Sequence, residues 1–295
     1  MWWLMSSPPP DLSRDVIRKY LDRIAWRRAM KIEQRANFDE KYPEDPITAF
    51  LVTGAQYFDK EIAIARKREL TGFKPWKTYD NGACSIFRQK VSGRRYLIGA
   101  DVATGRSIKE GETDFCAAVV GDLETGEEFA AYRARVSPQD FAFDLDELGR
   151  YFNTAMIAVE RTGDGGTTML VLRGECAYDN VYEHIEWTKR NRQKRLMKFE
   201  GFPTTGKTRP IALNFVSQFL NEHPDLIWDE NFLNEALTFV RDPRGIPAAA
   251  PGTHDDTVSC RWIFHFVRRT LLGWLIPTEM KSERYLSPEQ ISADI

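Results

Sequence analysis

From about residue 90 onward, the hydrophobic pattern alternates between a period of two and a period of 3.6, as strands and amphipathic helices do in turn. Residues 96–101 (YLIGAD) form a short apolar run that ends in an acid. Residues 115–121 and 127–135 read as two further strands, joined hairpin-fashion through Glu124-Thr125-Gly126. Ser137-Pro138-Gln139-Asp140 has the form of a helix start, with serine as N-cap, proline at the first position and an acid at the third. That helix is expected to run to about Phe152 and to lead into a buried strand at 155–160, which again ends in an acid. Further helices are predicted at 166–173, 209–222, 231–240 and 255–272, with a strand at 226–228. The alternation of strands and helices predicts an α/β fold, a mixed sheet flanked by helices.

Upstream, residues 11–36 read as an amphipathic helix with Val16, Ile17, Leu21, Ile24, Ala25 and Met30 on its apolar face and basic residues opposite. Residues 42–74 break into shorter pieces. The expected organisation is a helical arm or remnant of a preceding domain at 1–90, a main domain at 91–272 and a C-terminal tail at 273–295.

The 295 residues carry 41 basic and 43 acidic side chains, so total charge indicates no polyanionic partner and only local clustering can do so. Cys84, Cys116, Cys176 and Cys260 lie far apart, with no CxxC pair and no histidine at ligand spacing. This excludes a cysteine-based zinc site or disulfide framework and fits a reducing compartment. The longest apolar runs, at 2–5 and 271–276, fall well short of the roughly 20 residues that span a bilayer, and no basic stretch precedes the first as in a secretory signal.

Acids stand where an α/β fold gathers ligands: Asp101 and Glu160 close apolar strands, and Asp255-Asp256 open the last long helix. Strand ends in an open sheet share one edge, so residues remote in sequence can meet there. Hydrolysis of a phosphodiester needs hard divalent ions to neutralise phosphate charge and generate hydroxide, and Mg²⁺ takes carboxylate oxygens. Three or four convergent carboxylates would suffice for two ions. Each acid also has a purely structural role open to it. Asp101 could form an Asx-turn towards Gly105, Glu160 could be a solvated strand end, and Thr253-His254-Asp255-Asp256 has the T-x-x-D form of a helix cap.

Two other stretches carry chemical signals. Gly201-Phe202-Pro203-Thr204-Thr205-Gly206-Lys207-Thr208 matches the phosphate-loop pattern G-x-x-x-x-G-K-T, and Leu226-Ile227-Trp228-Asp229-Glu230 imitates its acidic partner strand. Pro210, however, would forfeit a backbone bond in the helix that such a loop must open. A helix capped by Thr208, with Pro210 in its first turn, accounts for the same letters better than an ATPase does. Secondly, Lys189, Arg190, Arg192, Lys194, Arg195 and Lys198 lie between Glu186 and Glu200 with no acid among them. Such a run is either a solvated surface or a contact to nucleic-acid phosphates, whose affinity depends on salt but not on sequence. Trp187 beside it is either a base-stacking or a core residue.

The motifs YLIGADVATG, AVERTGDGG, GFPTTGKTRP and GTHDDTVSCRW, in this order over about residues 91–270, resemble the nuclease domain of tailed-bacteriophage terminase large subunits. A weaker echo upstream, AWRRAMKIE and YPEDPITAFLVTGAQYFD, looks like the segment joining the motor of such proteins to their nuclease. The resemblance implies a ribonuclease-H-like fold and metal-dependent endonucleolytic cutting of concatemeric viral DNA during genome packaging. It implies two divalent ions, Mg²⁺ or Mn²⁺, with Asp101, Glu160 and Asp256 as catalytic and metal-binding acids and Asp255 as a further ligand. Asp256 is favoured over its neighbour because Asp256-Thr257-Val258-Ser259 looks like the D-x-V-x opening of the final helix in related resolvases. The basic stretch corresponds to a hairpin near the active site, a place for duplex DNA. Portal protein, a small terminase subunit and a separate ATPase motor become expected partners, with the host cytoplasm as the setting and no membrane. Two departures stand out: Thr162 replaces an asparagine common in the family, and no phosphate loop precedes residue 90, so the motor half is expected to be absent. The alternative is a catalytically weak packaging component that docks DNA or the portal, with a P-loop ATPase third.

Overall fold

The computed structural model describes residues 14–34, 56–79, 82–103, 114–190, 193–242 and 244–273. After helix α1 (Arg14–Gln34) come α2 (Lys60–Glu69) and the short strands β1 (Lys77–Tyr79) and β2 (Cys84–Ile86). The centre follows as β3 (Tyr96–Asp101), β4 (Cys116–Asp122), β5 (Glu128–Ala134), α3 (Pro138–Tyr151), β6 (Met156–Val159) and α4 (Gly165–Gly174). A hairpin of β7 (Glu183–Arg190) and β8 (Gln193–Glu200) leads to α5 (Thr208–Glu222), α6 (Glu230–Thr238), β9 (Phe239–Arg241), β10 (Pro247–Ala249) and α7 (Asp256–Leu271).

The main sheet has the order β1-β2-β5-β4-β3-β6. The strands from β3 to β5 form an antiparallel meander, and β6, which follows the first helix after it, returns parallel to β3. A meander whose first strand pairs parallel with the strand after the next helix is the ribonuclease-H-like arrangement expected from the motifs. Strand β3 is apolar up to its terminal Asp101 because both faces are covered. Leu97 enters a core built with α2, α5, α6 and α7, whereas Ile98 and Ala100 enter a second core built with α3 and α4. No helix among the described residues is long and apolar enough to cross a membrane.

Local chemistry places these elements much as the pattern suggested. In the β4–β5 turn, Asp122 Oδ1 accepts the N–H groups of Glu124 (2.9 Å) and Thr125 (2.8 Å), and Gly126 takes a φ of +82°. Ser137 caps α3 by accepting the Asp140 N–H at 3.1 Å, with Pro138 opening the helix. Three details differ. Residues 224–226 form a 3₁₀ turn rather than the start of a strand, begun by Pro224, and α6 gives way at Phe239 to β9. Thr208 is not the cap of α5. The Thr205 hydroxyl accepts the N–H groups of Lys207 and Thr208, while the Thr208 hydroxyl donates to the Pro203 carbonyl at 2.7 Å.

The boundary expected at residue 90 runs between β2 and β3, two strands of one sheet. Phe58, Ala63 and Leu70 lie in the α5–α7 core, and the Tyr57 N–H bonds the Phe239 carbonyl at 3.0 Å. Strands of three residues are too short to display a period of two, so β1 and β2 left no pattern to read.

Candidate active site

Strands β3 and β6 run parallel, which puts their C-terminal ends at one edge. The Glu160 N–H donates to the Ala100 carbonyl at 2.9 Å, so Glu160 sits beside Asp101 at the ends of the paired strands. Helix α7 brings in the third acid by crossing β3 at Gly99. A Cβ there would stand 2.3 Å from the Cys260 carbonyl oxygen and 2.7 Å from the Phe264 nitrogen, so only glycine lets the helix approach this closely. Asp256 lies one turn before Cys260, at the helix start. Gly165 does the same for α4, since a Cβ there would overlap the Glu160 carbonyl oxygen at 1.7 Å.

The capping role open to Asp255 and Asp256 is not taken, whereas the Asx-turn open to Asp101 would reach Gly105, outside the described residues, and Glu160 is half-buried at its strand end. Asp255 stands at the N-cap of α7 but its side chain caps nothing, and the Thr253 hydroxyl donates instead to the Ala250 carbonyl. The cap comes from α6: Glu235 Oε2 accepts the N–H groups of Thr257 (2.8 Å) and Val258 (3.3 Å) together with the Thr257 hydroxyl. Asp256 is only 6% exposed, and its Oδ2 has no hydrogen-bond partner. Around that oxygen stand an Arg133 Nη at 3.6 Å and His254 Nδ1 at 3.7 Å, and Asp114 approaches His254 at 3.8 Å. The ligand atoms of Asp114, His254 and Asp256 all lie within 4.8 Å of one another. Asp255 faces Arg209 at 3.9 Å, and the Thr162 hydroxyl donates to Glu160 Oε1 at 2.5 Å, so threonine supports the central acid where the family often has asparagine.

Burial and neighbouring charge raise the proton affinity of Asp101, Asp255, Asp256 and Glu235. Asp101 is held well above the usual carboxylate range by burial, by the hydrogen bond and charge of Glu160, and by the charges of Asp256 and Asp255. Burial pushes Asp256 up to about 6, against the pull of Arg133. Glu235 is pushed up to about 7 by burial, partly offset by its Thr257 bonds, and burial raises Asp255 against the pull of Arg209. Like-charged carboxylates out of water are a costly arrangement unless protonated or met by a cation. Hard oxygen donors suit Mg²⁺ or Mn²⁺, and the imidazole of His254 extends the set towards other first-row ions.

The chain is similar to phage terminase nucleases. No family model matches it, and no curated protein does. Among solved structures, the large terminase nuclease from thermophilic phage G20c with bound cobalt is 16% identical, with a TM-score of 0.48 over 68% of this chain and 96% of that one. The same nuclease with bound magnesium is 15% identical at a TM-score of 0.48 over the same shares. The Thermus phage P74-26 large terminase nuclease domain is 16% identical at a TM-score of 0.44, over 68% of this chain and 93% of that one.

The structure thus sets Glu160 beside Asp101 at the ends of β3 and β6, with the charges of Asp255 and Asp256 at the start of α7 acting on Asp101, and it brings the ligand atoms of Asp256 together with those of His254 and Asp114. The basic stretch forms β7 and β8, and its base lies beside the acids because Phe202 pairs with Glu160 in parallel. Lys198 is exposed, with Nζ 3.8 Å from a Glu183 oxygen. Arg192 lies outside the described residues, as do the side chains of Trp187, Lys189, Arg190, Lys194 and Arg195. The phosphate-loop match is used up internally: the Thr208 hydroxyl is spent on Pro203, and Asp229 caps α6 through the Asn231 N–H and pairs with Arg261.

Four residues around the acids escaped the sequence reading. His254 had a signal, a potential ligand directly before the acid pair, but T-x-x-D drew attention to capping. Asp114 precedes β4 as an ordinary polar residue. Arg133 and Glu235 gave no signal, because a charge on a strand or within a helix ordinarily faces water.

Proposed function

We propose that the chain is a divalent-metal-dependent DNA endonuclease of the terminase large-subunit kind, cutting concatemeric viral DNA during packaging in the host cytoplasm. What supports the reading is Glu160 beside Asp101 at the ends of β3 and β6, the charge of Asp256 acting on Asp101 from the start of α7, and a buried Asp256 oxygen left without a hydrogen-bond partner. Asp101, Glu160 and Asp256 would hold two ions, Mg²⁺ or Mn²⁺, with Asp255, His254 and Asp114 next to them. Such ions neutralise phosphate charge and make water acidic enough to attack phosphorus. Thr162 keeps Glu160 oriented, Glu235 fixes the start of α7, and the basic hairpin beside Glu160 holds the DNA backbone from Lys189, Arg190, Arg192, Lys194, Arg195 and Lys198. Duplex DNA is the substrate, while portal protein, a small subunit and an ATPase motor are the partners this role entails.

Supercoiled plasmid incubated with Mg²⁺ or Mn²⁺ should be nicked and linearised, and a chelator should stop the reaction. Intact plasmid with either ion, at protein concentrations that bind the DNA, would refute the enzyme and leave a docking component.

A further inference from the structure

We propose that Glu235 and Arg133 are positioning residues that set how tightly Asp256 holds a metal ion, an inference that rests on the metal-dependent reading above. Arg133 projects from β5 and divides one Nη between two carboxylates, Glu235 Oε1 at 3.4 Å and Asp256 Oδ2 at 3.6 Å. Its guanidinium lies 3.6 Å from the centre of the Phe115 ring, which also carries Arg135 at 4.1 Å and meets the His254 ring edge-on at 5.3 Å. The cation is therefore held in place by stacking and not by either acid alone. Both ion-pair contacts are too long to be hydrogen bonds. Indeed Asp256 Oδ2, Glu235 Oε1 and Arg133 Nε are all buried without a hydrogen-bond partner, three such atoms at one spot.

Glu235 uses its two oxygens differently. Oε2 is committed to the first turn of α7, whereas Oε1 draws Arg133 away from Asp256. An ion that takes Asp256 displaces the guanidinium from that oxygen, and Glu235 is the acid on which Arg133 then rests. Without the Glu235 charge, Arg133 would stay on Asp256 and oppose the ion by like-charge repulsion. Partners of this kind around a metal ligand commonly change affinity as much as a ligand's own geometry does.

Calorimetric titration with Mn²⁺ tests this on the wild type, Glu235→Gln, Arg133→Met and the double variant. Glutamine keeps an acceptor for the Thr257 and Val258 N–H groups, so the cap survives while the charge goes. Glu235→Gln should bind Mn²⁺ about tenfold more weakly, Arg133→Met more tightly than the wild type, and the double variant should regain at least wild-type affinity. The Mn²⁺ needed for half-maximal plasmid nicking should follow the same order. A merely structural pair would lower the melting temperature and leave the affinity of the folded protein alone. Wild-type affinity in folded Glu235→Gln, or no gain in Arg133→Met, overturns the proposal; should Glu235→Gln not fold, Arg133→Met decides it alone. A wild type that binds no Mn²⁺ removes this proposal together with the nuclease reading, whereas a wild type that binds and cuts, matched by both variants, removes only this one.

Discussion

Helix α7 carries two buried clusters of charge, little more than one turn apart, that are built on opposite principles. Around Arg261, only 1% exposed, every charged oxygen has a partner. Its Nε donates to Glu128 Oε1 at 2.6 Å, its Nη2 to Asp229 Oδ2 at 3.1 Å and its Nη1 to the Thr257 carbonyl at 2.9 Å. The remaining oxygens accept backbone N–H groups, Glu128 from Trp228 and Asp229 from Asn231. At the helix start, the charges of Asp256, Asp255 and Glu160 all act on the buried Asp101, and among the described residues the cations facing Asp256 and Asp255 stand only at 3.6 Å and beyond. A closed network such as that around Arg261 ties β5, α6 and α7 together. An open one strains the fold and invites a cation, which is how residues kept for chemistry differ from residues kept for stability.

The contrast breaks most sharply under Asp101→Asn. The substitution keeps volume and removes the charge that an ion would meet. Metal-dependent nicking should fall by more than about 100-fold, the loss that follows removal of groups merely supporting a metal ligand. Metal-free stability should hold or rise, because a repelled carboxylate has gone. Full nicking by the folded variant, assayed with Mg²⁺ and Mn²⁺, would dismiss the assignment.

Arg261→Met should do the reverse. It strands Glu128 and Asp229 in the core, where breaking a buried pair costs roughly 3–5 kcal/mol. Denaturant unfolding should show that loss, and cutting per folded molecule should change far less than in Asp101→Asn. A loss under about 1 kcal/mol would mean that the network is not what binds these elements.

The third difference appears in pH. Burial pushes the folded-state carboxyls of Asp256 and Glu235 up to about 6 and about 7. Acids with raised folded-state values bind more protons in the native than in the unfolded state between the ordinary range near 4 and those values. Stability contributed by them therefore grows as pH falls from about 7 towards 5 and is lost as it rises. The metal-free protein should melt higher at pH 5.5 than at pH 8, and Mg²⁺ should raise the melting temperature more at pH 8, where the acids are already ionised. Equal gains at both values would show that the ion binds elsewhere.

Most of this frame was legible because its signals are local. An apolar run ending in an acid marked β3 and β6, and Ser137-Pro138 marked the start of α3. The acids could be picked out along the chain, but their placement depends on Gly99 letting α7 lie against β3 and on the parallel pairing of β6, both properties of the tertiary packing. The same holds for Glu235, which caps a helix 22 residues away and so lies outside any local capping pattern. The phosphate-loop letters were legible as a helix entry from Pro210 alone, but the cap was not Thr208, because Thr205 accepts the turn's N–H groups and Thr208 donates to Pro203.

The smallest expected effect on cutting tests the charges of the hairpin whose base lies beside Glu160. If Arg190, Arg192, Lys194 and Arg195 neutralise phosphates, changing all four to alanine should weaken binding to unrelated duplexes about equally, because backbone contacts position DNA without reading it. The slope of log affinity against log salt should become shallower by about 0.9 for each phosphate that is no longer neutralised. At saturating DNA the rate of nicking should fall much less than in Asp101→Asn, since the acids remain. Binding measured at several salt concentrations separates the outcomes: a shallower slope with a preserved saturated rate assigns these charges to holding the backbone. An unchanged slope makes them a solvated surface, and the DNA path would then have to be sought near Arg209, which faces Asp255.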